Sequence, residues 1–491
     1  MTIETGTGSD EPGSPDPGGP EGPAAVVTTG SRHARNAHRR PNRLAEALRT
    51  TSPGLSRAWR TILQCTLLAL VLLIASTGAL SAFRFPVFSP IDEGAHFAYV
   101  QQIAEHGTLP VLGRTPMSPQ VLAISQGRYP RPTTFDPVKI GLGGLSYEAF
   151  QPPLFYISAV PAFAVVGNYR GKVYAVRFYQ YLLLLVTVVL AGRLARVVLR
   201  DRWMLGWGML LVFLAFPYIV VRFTTVGNLA LAIPLTILFA TELWIAWERH
   251  AASRYVVSGV LGGLCVLTQL ELVVLLPVLL LVLVAEARSH RRTSPWGPLV
   301  AAAALPLVVV APWLAFNEAN YHATTAGALA IREQSPIVNP HHLHYALSAL
   351  PNETVSWIAN AVLPAEWGTS LANQPALGYL AELLGVLLIP AATVFVLGTG
   401  RRLWTVPTMI LGLPWVLVFL EMWDIRYGQQ WSVETRYLFP VLPLLLALAA
   451  RATDILRTQY LVVLVTLGAT CSLAAIWAFL VFGFTGSFAP Q

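Results

Sequence analysis

The sequence predicts an all-α polytopic membrane protein, and three observations predict it. Of the 491 residues, 55% are hydrophobic and only 12% are charged, a balance foreign to soluble globular chains of this size. Apolar runs of roughly 18–22 residues recur along the chain, the length at which a helix crosses a bilayer. Arginines collect in alternate turns between those runs, the bias of cytoplasmic loops. The mean hydropathy is +0.57. The net charge of +8 comes almost wholly from arginine, with Lys139 and Lys172 the only lysines. That charge is read as membrane topology, not as a nucleic-acid surface. Cys65, Cys265 and Cys471 all lie in apolar runs without ligand spacing, so neither a disulfide nor a zinc site is expected.

Residues 1–58 are read as a disordered cytoplasmic tail, rich first in Gly, Pro, Ser and Asp and then in Arg and His. Its basic part, Arg32 to Arg60, directly precedes the first apolar run and sets the N-terminus inside. That run, Thr61 to Phe83, is expected to be the first helix, an uncleaved anchor. Residues 59–491 form the membrane domain, with outer segments at 84–173, 317–375 and 421–436. About 11 crossings follow, with the C-terminus outside.

The first outer segment opens with Ser89-Pro90-Ile91-Asp92-Glu93-Gly94-Ala95-His96-Phe97-Ala98-Tyr99. Ser89 suits a cap, Pro90 the first helical position, and Asp92 the capping-box position. The predicted helix stops near His106, before Gly107 and Pro110. Asp92, His96, Tyr99 and Ile103 share one face of it. Further on, Gln151-Pro152-Pro153 starts a short apolar helix, 152–166, expected to be re-entrant on the outer side. One crossing is expected at 174–192, which leaves Arg170, Lys172 and Arg177 near the outer interface.

The remaining crossings are expected at 203–221, 228–247, 255–269, 271–286, 297–316, 376–398, 403–420, 437–450 and 459–483. Glu242 and Glu271 lie near or inside spans, where carboxylates are costly, and are read as water-accessible helix ends. His341-His342-x-His344 is read as a chance polar cluster in a loop.

Four motifs stand in order: Pro90-x-Asp92-Glu93-x-x-His96-x-x-Tyr99, then Gly107-x-Leu109-Pro110, then Gln151-Pro152-Pro153-Leu154-Phe155-Tyr156, then Arg436-Tyr437-Leu438-Phe439-Pro440-x-x-Pro443. Together they resemble bacterial members of the GT-C superfamily of membrane glycosyltransferases, a group that includes protein O-mannosyltransferases and lipid A aminoarabinose transferases. The resemblance covers most of residues 60–450. It implies a GT-C-like fold with a large first outer loop, in a multi-pass protein of the bacterial plasma membrane. It also implies sugar transfer, with inversion, from a polyprenyl-phosphate donor to an envelope glycan, lipid or protein at the outer face.

Carried over by position, Asp92 is the catalytic base or acceptor-orienting carboxylate, with Glu93 and His96 beside it. Arg436, Arg177 and Lys172 are candidates for the donor phosphate, a role that suits cationic side chains. Tyr99, Gln151, Tyr156 and Tyr437 are candidates for contact with substrate. A divalent ion (Mg or Mn) on Asp92 and Glu93 and a metal-free mechanism are equally consistent with the sequence. The chain departs from the group at three points. Phe150 stands where the group has His before Gln-Pro-Pro. Asn228-Leu229-Ala230 stands where the group has Asn-x-Asp or Asn-Asp at a helix start, and Thr268-Gln269, with Glu271 two residues on, stands where it has Thr-Lys between two helices. Two other readings remain open at the level of sequence: a transporter or flippase of a lipid-linked precursor, and a catalytically silent scaffold with the same fold.

Overall fold

The structure is a computed structural model. It describes residues 57–85, 87–88, 92–122, 145–289, 296–324, 439–452 and 458–478, with short pieces between 406 and 417. The described residues belong to one unit spanning 50–491. They are helical, and among them the only bridge of β type is an isolated one between Pro116 and Leu145.

Helix α1, Arg57–Arg84, extends the expected first crossing by a turn at its start. Helix α2, Glu93–His106, begins later than the capping box predicts. Asp92 stands at its N-cap with φ −99° and ψ −7°, and its carboxylate does not cap the helix. A tertiary partner, the Tyr147 hydroxyl, donates to Asp92 Oδ1 at 3.4 Å instead. The predicted stop holds: Gly107 adopts φ 67° and donates its amide to Ile103, the left-handed ending that glycine permits without Cβ strain.

A 3₁₀ turn, Tyr147–Phe150, leads through Gln151-Pro152-Pro153 into helix α3, Leu154–Ala164. Its 11 residues span about 16 Å, half a bilayer core. Helix α4, Tyr169–Leu199, is longer than the expected crossing at both ends. Asn168 caps it, accepting from the Gly171 amide at 2.7 Å. Arg170, Lys172 and Arg177 therefore sit in its first turns.

The crossing expected at 203–221 is broken in two. Helix α5, Trp203–Leu214, ends before Phe216, and Pro217 starts helix α6, Pro217–Thr224. Proline has no amide to continue the ladder, so it ends one helix and opens the next. Helix α7, Leu229–Arg249, follows after a four-residue turn, 225–228. Helix α8, Ala252–Val266, and a 3₁₀ turn, Leu270–Val274, lead into helix α9, Leu275–Ser289. Helix α10 is Trp296–Tyr321, helix α11 Leu442–Ala452 and helix α12 Thr458–Ala478.

Among the described residues, five helical segments are long and apolar enough to cross a membrane: 57–84, 169–214, 229–249, 270–289 and 296–321. The expected crossing at 376–398, most of that at 403–420, and the N-terminal tail lie outside the described residues. Leu68, Leu72, Val189, Leu307 and Val308 are exposed on these spans, the surface that hydrocarbon covers in a membrane protein. Glycines let α8 and α10 approach closely: a Cβ at Gly259 would lie 2.4 Å from the Ala302 carbonyl oxygen. Glu242, expected at a wet helix end, is buried and accepts from Arg193 and Arg254, both partly exposed. Pairing with two cations is what makes a carboxylate tolerable there.

Candidate functional site: a polar cleft beneath helix α2

Four pieces of chain converge beside α2: the Tyr147–Gln151 segment, the end of α6, the 225–228 turn into α7, and the Thr268-Gln269 link after α8. Between them lies a narrow cleft lined by His96, Glu148, Gln151, Arg222, Thr225, Val226, Gly227, Asn228, Leu229 and Gln269. Its free interior is about 30 Å³, room for one or two waters.

One aromatic stack fixes the cleft's histidine. His96 and Tyr99 lie one turn apart on α2, and both face Tyr156 at the start of α3. The Tyr99 and Tyr156 rings stack with centroids 3.8 Å apart and planes 8° from parallel. The Tyr156 hydroxyl is 2.8 Å from His96 Nδ1, and Glu148 Oε2 lies 4.0 Å from the same nitrogen. The other edge of the imidazole faces Gly227 across the cleft. The Tyr99 hydroxyl donates to the Gln151 carbonyl at 3.2 Å. Burial pushes that hydroxyl's pKa well above the usual tyrosine value, so it remains a donor throughout the ordinary pH range.

A buried ion pair anchors α2 to α4. Arg177 Nε donates to Glu93 Oε1 at 2.7 Å and Nη2 to Oε2 at 2.5 Å, a bidentate fork. Arg177 Nη1 donates to the Phe85 carbonyl at 2.6 Å. The amides of Phe88 and Val226 donate to the same carboxylate at 2.7 and 3.0 Å. Both side chains are almost wholly buried. Neither residue lines the cleft. Glu93 thus ties together the end of α1, the start of α2, α4 and the 225–228 turn. Gln180 of α4 holds that turn from the other side, donating to the Gly227 carbonyl at 2.9 Å.

The ten expected site residues separate into groups. His96 and Gln151 line the cleft, and Tyr99 and Tyr156 support them. Asp92 is buried behind the cleft, beside Tyr147. Glu93 and Arg177 form the anchoring pair. Lys172 sits at 3.3 Å from Glu105, with its ammonium over the Phe163 ring. Arg436 and Tyr437 lie outside the described residues, as does the histidine cluster at 341–344.

Asp92 and Glu93, where a divalent ion is one of two equally open readings of the sequence, do not together fit one. Both Glu93 oxygens are already engaged by a guanidinium and two amides, and a cation added there would face Arg177 directly. Among the described residues, no cluster of three or more His, Cys, Asp or Glu side chains has metal-binding geometry.

Sequence reasoning missed Glu148, Arg222 and Gly227. Glu148 sits three residues ahead of Gln151, just outside a motif already singled out, and that proximity was the available signal. Arg222 follows an apolar stretch and reaches the cleft only because Pro217 redirects the chain. Asn228 and Gln269 were marked as departures from the group's pattern, and both prove to be cleft residues. Asn228 Nδ2 donates to Gln151 Oε1 at 3.3 Å and to the Thr268 carbonyl at 3.2 Å.

No protein-family model and no curated protein matches the chain. Several solved structures are similar in fold. One is ArnT from Cupriavidus metallidurans bound to undecaprenyl phosphate, 16% identical with a TM-score of 0.46, covering 79% of this chain and 60% of that one. Another is the Archaeoglobus fulgidus oligosaccharyltransferase in complex with Zn and sulfate, 14% identical with a TM-score of 0.46, covering 86% and 54%. A third is the archaeal oligosaccharyltransferase AglB from Archaeoglobus fulgidus with an inhibitory peptide and a dolichol-phosphate, at 13% and 0.45, covering 87% and 56%. This chain spans 60% or less of the length of each. At these values the likeness is one of helical plan and assigns no residue.

Proposed function

We propose that the chain is an integral membrane glycosyltransferase that moves a sugar from a polyprenyl-phosphate donor to a cell-envelope acceptor at the outer face of the plasma membrane. The observation that carries this reading is the cleft itself. In a chain with few charged residues, a carboxylate, an imidazole, a guanidinium and three side-chain amides converge on one small space at the head of an apolar bundle.

Glycosyl transfer from a lipid phosphate needs that set. The acceptor hydroxyl oxygen attacks the anomeric carbon and forms the new C–O bond. The bond from that carbon to the phosphate oxygen breaks, and its electron pair leaves with the lipid phosphate. The acceptor proton passes to a carboxylate, and charge builds on the leaving phosphate. Glu148 is the carboxylate of the cleft and takes the role that position in the motif suggested for Asp92. His96, oriented by Tyr156, lies beside Glu148 and stabilises its charged form when protonated. Asp92 acts one layer back, through Tyr147. Glu93 and Arg177 hold α2 in register and touch no substrate.

The test is sugar transfer in membranes from a deletion strain, fed labelled polyprenyl-phosphate sugars. Wild type should label an envelope fraction. Glu148→Gln should lose about 100- to 10,000-fold of the rate, and Asp92→Asn should lose far less. The reverse ranking would return the base to Asp92. No label with well-expressed wild type, across a broad donor panel, would end the transferase reading.

A further inference from the structure

We infer that the phosphate of the lipid-linked donor binds at the junction of α6 and α7, held by the Arg222 guanidinium and the first amides of α7, with Gln269 reaching a hydroxyl of the adjoining sugar. This rests on the transferase reading above and identifies which residues of the cleft take which part of the donor.

Three observations meet at this junction. The first is the start of α7. A helix of 21 residues carries about half a positive charge at its N-terminus and presents unsatisfied amides there. Asn228 stands in the N-cap position, where asparagine commonly closes a helix. Here it does not cap. Its amide is drawn to Gln151 and to the Thr268 carbonyl. The first turn of α7 is therefore left open toward the cleft, with Gly227, Asn228 and Leu229 in its wall. Gly227 has no side chain to cover those amides, and the nearest atoms facing its missing Cβ belong to His96, at 3.7 and 3.9 Å. Such a helix start accepts an anion.

The second observation is Gln269. It is 1% exposed, it lines the cleft, and its Oε1 has no hydrogen-bond partner among the described residues. A buried amide oxygen left unpaired is costly, and a sugar hydroxyl donated to it removes that cost. The third is Arg222, the one arginine or lysine among the described residues of the cleft wall. Of the three cations expected to bind phosphate, Arg177 pairs with Glu93 and Lys172 with Glu105, and neither lines the cleft; Arg436 lies outside the described residues. A guanidinium and a helix N-terminus in one wall suit a phosphodiester and the phosphate it becomes on leaving.

The test uses the full-length protein in detergent, with undecaprenyl phosphate and uncharged undecaprenol as probes and ligand-induced thermal stabilisation as the readout. Wild type should be stabilised by the phosphate lipid and much less by the alcohol. Arg222→Gln should bind the phosphate lipid about 10- to 100-fold more weakly, the loss of one charge-assisted contact. Should that variant fold poorly without lipid, Gln269→Glu supplies the second arm, because a carboxylate beside the phosphate should weaken binding to a similar degree. Wild-type affinity in both variants, or equal stabilisation of wild type by undecaprenol, would overturn the inference. Glu148→Gln, which should still bind the phosphate lipid while losing transfer, separates the two questions. If wild type transfers sugar while Arg222→Gln and Gln269→Glu both bind like wild type, the phosphate assignment falls while the transferase reading stands. If wild type neither binds the phosphate lipid nor transfers, both fall.

Discussion

Removing the charge of Glu93 tests whether this carboxylate is an anchor or a reagent. In Glu93→Gln, Arg177 stays buried but loses its counter-charge, and one oxygen becomes a donor where the guanidinium and the Phe88 and Val226 amides all donate. Breaking a buried pair by neutralising one partner costs about 3–5 kcal/mol. For a chain of this length that lowers the unfolding midpoint by something on the order of 5 °C. The assay is thermal unfolding of purified protein followed by loss of the monodisperse peak in size-exclusion chromatography. Arg177→Met alone should destabilise comparably, by leaving Glu93 buried and unpaired. The double change Glu93→Leu with Arg177→Met should recover part of the loss, because apolar groups of similar size remove both desolvation costs together. Two results would refute the reasoning. One is a Glu93→Gln protein as stable as wild type. The other is a Glu93→Gln protein of native stability that has lost transfer, which would put Glu93 in the chemistry.

Two smaller perturbations probe the frame around the cleft. Gly259→Ala should destabilise by about 1–3 kcal/mol, since the added methyl would overlap the Ala302 backbone and force α8 from α10; unchanged thermal stability would contradict the close approach. Gly107→Ala should lose about 1 kcal/mol through its φ of 67° alone, because no atom lies within 4 Å of the new Cβ; transfer per folded molecule should be unchanged, and a large loss of rate would mean the end of α2 takes part in the reaction.

The sequence by itself determined the class of the protein and most of its helices. Apolar length and arginine placement mark out α1, α4, α7 and α10, because a bilayer demands long runs of one polarity whatever the neighbours are. The stop at Gly107 was legible for the same kind of local reason, a backbone angle that favours glycine. His96, Gln151 and their aromatic supports stood out because polar groups at the head of an apolar bundle are few.

Tertiary structure alone decided the division of labour among the charges. Asp92 and Glu93 are adjacent in sequence, yet one meets Tyr147 and the other Arg177, 84 residues away. No local pattern encodes a partner at that distance, and a buried charge takes its role from whichever partner desolvation forces on it. The same holds for Arg222, Asn228 and Gln269. Each looks ordinary in its own helix or turn, and they become a site only where the kink at Pro217 and the turn at 225–228 bring three helix ends under α2.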